Sequence, residues 1–330
     1  PDDVAPLLET MEMNYLGNSE PNLHYVLLTD VADADAETKP IDAEIRASLR
    51  QGIEALSARH PDGRFFWLHR PRRWNDVAGK WMGWERKRGK LTDFNNFLLT
   101  GDDDAFCDRW GETDELRGLR FVLTLDADTL LPTGAAQRLL GTYAHPLNRA
   151  EFDPQSGRLC AGFTVIQPRV ETNPESANRS SFARSYSGDT MLDLYSTAVS
   201  DVYHDAIGSG IFAGKAVYDV AALVRTLENR VPDNAILSHD LFEGLHGRVG
   251  LASDISVFEG FPASVPAFMR RMHRWVRGDW QLLPWLFSNV PCSDGARCKT
   301  RFAMIDRWKI GDNLRRSLQA PAIVSLFVLG

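Results

Sequence analysis

Apolar and polar positions along this chain follow two periods. Leu23-His24-Tyr25-Val26-Leu27-Leu28-Thr29 is a short apolar run that stops at Asp30, which predicts a strand. Residues 41–60 change to helical spacing, with Ile41, Ile45, Leu49, Ile53 and Leu56 on one face. A second strand is expected over Arg64–Leu68, and a loop over the Gly-, Trp- and basic-rich stretch 70–90. A helix should follow over Leu91–Leu99, a strand over 120–125, a helix over 134–144 and a strand over Leu159–Gln167. Residues 176–200 and 216–229 read as helices, and Gly250–Phe258 as another strand. Strands alternating with helices predict an α/β fold whose sheet is mainly parallel and flanked by helices.

Beyond this the pattern changes. Val265–Phe287 sets Trp275, Trp280, Trp285 and several aliphatic residues beside four arginines, a composition that suits a membrane interface as well as an ordinary packed helix. The tail from Ala320 to Gly330 is uncharged and apolar but shorter than the roughly 20 residues a bilayer span needs. We expect it to be the start of a truncated transmembrane segment. The chain thus divides into an α/β domain, 1–262, and a region of interfacial helices, 263–330.

The 330 residues are 44% hydrophobic and 25% charged, ample for a large core. A net charge of -7 argues against a general nucleic-acid binder. Cations are concentrated locally instead, in Arg70–Arg73, Arg86–Lys90 and Arg270–Arg274. Cys107, Cys160, Cys292 and Cys298 have no zinc-type spacing and no signal peptide is visible, so free thiols are expected. Asp102-Asp103-Asp104 reads as a solvated turn, and Gly208-Ser209-Gly210 with Gly214 as turns whose bare backbone a sugar could approach.

The chemistry starts at Phe121-Val122-Leu123-Thr124-Leu125-Asp126-Ala127-Asp128-Thr129. A buried strand ending in carboxylates at i and i+2 places two acids at one sheet edge, where open α/β sheets bind ligands. Paired hard oxygen donors suit Mg²⁺ or Mn²⁺ serving a phosphate. Alone, such a pair is an ordinary solvated strand end. Here it is followed by Ile236-Leu237-Ser238-His239-Asp240 and by Arg271-Met272-His273-Arg274-Trp275, and preceded by Asp30 and Lys87-Arg88-Gly89-Lys90-Leu91.

That ordered set resembles the processive, inverting, membrane-embedded glycosyltransferases of the GT-A fold. His69–Asn75 and Trp81–Leu91 are most similar to the cyclic β-1,2-glucan synthases, and the linear β-1,2-linked periplasmic glucan glucosyltransferases are more distant. The resemblance implies transfer of glucose from UDP-glucose to the 2-hydroxyl of a growing β-glucan, at the cytoplasmic face of a bacterial inner membrane. It also implies that the chain is part of a larger protein, since Pro1-Asp2-Asp3 stands where the family's first strand should just have ended. On the matching positions, Asp30 would contact the uridine, while Asp126 and Asp128 would hold the divalent ion. Lys87, with Arg88 and Lys90, would face phosphate. Arg274 would face the diphosphate and Trp275 would floor the acceptor sugar. Asp240 would be the general base, with His239 orienting it. Arg271 stands where the family carries Gln, adding a second cation. Two rivals are a haloacid-dehalogenase-like phosphatase with Asp126 as nucleophile, and a sugar-nucleotide sensor with no turnover.

Overall fold

The computed structural model describes residues 4–155, 157–187, 202–236, 239–293, 296–300 and 302–329. Helix α1 (Val4–Gly17) leads to strand β1 (Tyr25–Asp30), helix α2 (Pro40–Arg59) and strand β2 (Phe65–Arg70). Leu49, Ile53 and Leu56 of α2 pack with Val4 and Met11 of α1 on Phe65 and Trp67, as the spacing predicted, while Ile41 at the start of the face is exposed. β1 and β2 run parallel with Asp30 opposite Arg70, so an acid and a base end side by side at one edge.

The stretch 70–90 is not a loop. It forms a hairpin, β3 (Arg73–Asn75) and β4 (Lys80–Met82), and then enters helix α3 (Arg86–Thr100). The charged run that masked the helix is its first turn, so Lys87, Arg88 and Lys90 sit on a rigid element. Gly89 lets the turn close: a Cβ there would lie 1.9 Å from the carbonyl oxygen of Trp84. Strand β5 (Asp108–Trp110) then pairs antiparallel with β2.

Strand β6 (Phe121–Thr124) and helix α4 (Ala135–Ala144) fall where expected. The expected strand over Leu159–Gln167 is broken. β8 (Leu159–Ala161) pairs with β7 (Glu151–Phe152), and β9 (Val165–Thr172) starts after a turn at Gly162, whose φ is +69°. The expected helix 176–200 appears as α5 (Pro174–Asn178) and α6 (Ser181–Tyr186), and its remainder lies outside the described residues. After α7 (Val202–Ile207), the expected helix 216–229 begins as strand β10 (Ala216–Asp219) and becomes α8 (Val220–Leu227) at Asp219, whose carboxylate accepts from Ala222 N–H. Helix α9 (Asp240–His246) leads to β11 (Val249–Glu259).

The second sheet has the order β11-β9-β10-β6. β11 is parallel to β9, but β10 is antiparallel to both neighbours. With β2–β5 also antiparallel, the described sheets are mixed, not mainly parallel. The cause is β10, buried on both faces and therefore without the period-two signal that separates a strand from a buried helix.

The C-terminal part comprises α10 (Val265–Gln281), a short hairpin of β12 (Asn289–Pro291) and β13 (Arg297–Lys299), and α11 (Met304–Leu329). Cys292 and Cys298 are joined as a disulfide across this hairpin, so the expectation of free thiols holds for Cys107 and Cys160 only. Trp285 is core, packed with Phe242, Phe302, Ile310 and Leu314. The far end of α11 is bare, with Phe327 82% and Leu329 87% exposed. No helix among the described residues is long and apolar enough to cross a membrane.

Candidate functional site

Two buried asparagines, Asn14 of α1 and Asn18 just after it, set the turn after β6. Asn14 donates to the carbonyl of Thr129 (3.1 Å) and accepts from Leu131 N–H (2.8 Å), while Asn18 accepts from Ala136 N–H (3.0 Å). Thr129, fully buried, accepts from Asp126 N–H through its hydroxyl at 3.2 Å. The Asp126-Ala127-Asp128 turn is thereby pinned from both sides, with both acids at the same edge.

The two carboxylates face different company. Asp126 is clasped by lysines on both oxygens: Lys87 of α3 holds Oδ1, and Lys215, just before β10, holds Oδ2 at 2.7 Å. Lys215 is buried and also reaches Oε2 of Glu259, at the end of β11, at 3.0 Å. Glu259 in turn pairs with Arg271 of α10, which also donates to the carbonyl of Gly260 at 3.1 Å. Lys87–Asp126–Lys215–Glu259–Arg271 is therefore one unbroken chain of alternating charge across three elements, the turn after β6 and the loop before β10. Burial by itself would raise the Asp126 pKa, but Lys87 and Lys215 more than offset it and hold the carboxyl well below the usual carboxylate range. Burial likewise opposes the charge on Lys215, yet Asp126 and Glu259 hold its ammonium above the ordinary lysine value.

Asp128 reaches solvent and pairs with no cation among the described residues. The surrounding protein, then the charges of Glu259 and Asp126, push its carboxyl up. Its Oδ2 would lie 3.2 Å from a Cβ at position 260, so Gly260 keeps this acid's surroundings open. A carboxylate with excess negative potential and no protein partner fits a divalent cation. With both oxygens of Asp126 engaged by lysines, neither is free to attack phosphorus, which argues against the phosphatase reading.

Asp240 joins the same patch through Gly214. At φ +82° this residue is left-handed, and a Cβ there would lie 2.8 Å from Asp240 Oδ2, so only glycine admits the carboxylate. The Gly214 carbonyl accepts from Lys87 Nζ at 2.9 Å. Gly214, read as a turn whose bare backbone a sugar could approach, seats the candidate base beside Lys87. His239 is buried, with Nδ1 3.7 Å from Asp240 Oδ1 and 3.0 Å from Glu243 Oε1. Burial disfavours an imidazolium, but Glu243 and Asp240 outweigh it and raise the pKa. Leu237 and Ser238 of this motif lie outside the described residues.

The remaining expected residues divide. Asp30 meets Arg70 at 3.0 Å and Lys90 at 3.1 Å, and its carboxylate abuts Gly83, so it is tied to α3, the helix that carries Lys87. Arg88 does not face a ligand: it is buried against Glu85 at 2.7 Å and lies over Trp84. Trp275 is half-buried, with the guanidiniums of Arg271 and Arg316 at 4.6 and 5.7 Å from its ring. Arg274 is exposed and makes no ion pair among the described residues. Sequence reasoning missed Lys215, Glu259 and Glu243. Glu243 stands one helical turn after His239, a spacing visible in the sequence; nothing local marks the other two.

The fold and the site define a mixed α/β domain with a connected patch of alternating acids and bases at a sheet edge. No family model matches the chain. Over its whole length the chain is 41% identical to the cyclic beta-(1,2)-glucan synthase NdvB of Rhizobium meliloti (strain 1021). It spans 11% of that protein's length. The chain is a domain related to cyclic β-glucan synthases.

Proposed function

We propose that this domain is the glycosyltransferase unit of a larger cyclic β-1,2-glucan synthase, using UDP-glucose and inverting the anomeric centre in a GT-A-like pocket. The observation that carries this reading is the convergence of Lys87, Asp126, Asp128, Asp240 and Arg271, from four separate segments, on one connected patch. A phosphatase or a plain binder has no call for a carboxylate at Asp240 set apart from the acid pair.

On this reading Asp128 would be the ligand of Mg²⁺ or Mn²⁺, with Asp126 adding negative charge beside it from between its two lysines, and the ion's charge would stabilise the departing diphosphate. Lys87 and Arg271 add positive charge around the same phosphates. Asp30 bonds the uridine, and Asp240 takes the proton from the acceptor hydroxyl as that oxygen attacks the anomeric carbon opposite UDP. Arg274 and Trp275 border the acceptor, the growing β-glucan. The active form acts at the cytoplasmic face of the inner membrane, with cyclisation carried by the rest of the parent protein.

The test is glucose incorporation from labelled UDP-glucose, with Mg²⁺ or with EDTA, in membranes holding the full-length parent protein or its Asp240→Asn variant. The expected result is metal-dependent β-1,2-linked glucan that disappears in the variant while UDP binding persists. Glucan formation by the variant would remove Asp240 as the base. UDP binding without incorporation by the unaltered protein would favour a sensor.

A further inference from the structure

We propose that Glu243 is a positioning residue for glucosyl transfer, holding His239 as an imidazolium that fixes the Asp240 carboxylate. This rests on the reading of Asp240 as the general base. His239 and Glu243 are both buried, at 4% and 5% exposure, and lie on one face of α9 and its first flanking residue. Nδ1 of His239 stands between two acids, 3.0 Å from Glu243 Oε1 and 3.7 Å from Asp240 Oδ1. That nitrogen and Asp240 Oδ1 are buried and make no hydrogen bond among the described residues. Two facing polar atoms left this way are the geometry of a contact that tightens when substrate arrives.

The charges explain why the third group is needed. An imidazolium alone would hold Asp240 but would also weaken it as a base. Glu243 cancels that charge, so the trio carries the same net charge as Asp240 by itself and the carboxylate is fixed without being disarmed. The other charged group facing His239 is Lys87 of α3, which opposes protonation of the ring, and Tyr218 of β10 lies near enough to sense Glu243. The three side chains are also close enough to gather a cation, their donor atoms lying within 4.8 Å of one another. A metal there would occupy the carboxylate that must accept the proton.

The experiment uses full-length protein in membranes and compares Glu243→Gln with Asp240→Asn. For Glu243→Gln we expect kcat to fall about 10- to 100-fold with KM for UDP-glucose within about twofold. The alkaline limb of its pH–rate profile should move to lower pH, because His239 loses the charge that raises its pKa. Unchanged kcat and an unmoved limb, with Asp240→Asn inactive, would overturn the role of Glu243 and leave Asp240 as base. Transfer by Asp240→Asn would instead remove the base reading and this proposal with it. If Glu243→Gln fails to accumulate, His239→Gln serves: loss of the alkaline limb with normal KM supports the proposal, and an unchanged profile overturns it.

Discussion

The charged patch at the sheet edge and the outer face of the C-terminal helices carry similar residues in opposite states. Within the patch, Lys87, Asp126, Lys215, Glu259 and Arg271 neutralise one another in sequence, each charge touching the next. On the outer face, Arg270, Arg274 and Arg277 of α10 are exposed and make no ion pair among the described residues, and Met269 and Trp280 are exposed beside them. A cation already paired inside the protein sets the geometry of its neighbours. A cation without an internal partner acts only on something that arrives. Arg271 and Arg274, three residues apart in one motif, fall on opposite sides of that line.

The sharpest way to break the comparison lies within the acid pair. Asp128→Asn should reduce Mg²⁺-dependent UDP binding by about 100-fold or more, in line with losing a principal charged ligand of the ion. It should not destabilise the domain, because the folded state already disfavours the ionised form of this carboxyl. Asp126→Asn should show the reverse order, destabilising the domain by stranding Lys87 and Lys215. Equilibrium binding of a fluorescent UDP analogue, with thermal inactivation of that binding, reads both. Equal behaviour of the two variants would dissolve the distinction between a structural acid and a ligand-facing one.

Next in size is Lys215→Met. Removing one partner from a buried ion pair costs about 3–5 kcal/mol, and here two acids lose their countercharge. Because the Asp126 end of the chain is open to water, we expect the lower part of that range. The pH dependence follows with its sign. Asp126 has a pKa held below its ordinary value of 3.8, so its stabilising contribution is complete above that value and lost as pH falls through the lower, folded-state pKa. Lys215→Met should abolish much of this acid sensitivity. Urea unfolding followed at neutral and acid pH checks it.

What the sequence made legible was local. The strand that ends at Asp126, the helical face over Leu49, Ile53 and Leu56, and the order of motifs from Asp30 to Trp275 are all carried by neighbours in the chain. What stayed hidden depends on contacts between distant segments. Lys215 follows a glycine turn and looks like any solvated lysine, and only the packing of β10 between β6 and β9 buries it between Asp126 and Glu259. Arg88 sat in a cationic run that resembled a phosphate loop, yet α3 begins early enough to turn it inward onto Glu85. The strand at 216–219 was mistaken for helix because a strand buried on both faces is apolar throughout.

The smallest expected effect belongs to Arg274→Ala, and it sharpens the comparison most finely. An exposed arginine with no internal partner contributes little to the fold, so stability should stay within about 0.5 kcal/mol. If Arg274 meets a charged ligand, KM for UDP-glucose should rise a few-fold, and the rise should shrink at high salt as the interaction is screened. Arg271→Ala removes a group that is half-buried, paired with Glu259 and stacked on Trp275, so it should weaken the fold with much less salt dependence. Steady-state kinetics at low and high ionic strength separate the two. Matching salt responses would mean that the outer arginine is coupled to the charged patch after all, and that the motif works as one cationic unit rather than as an internal strut beside a free charge.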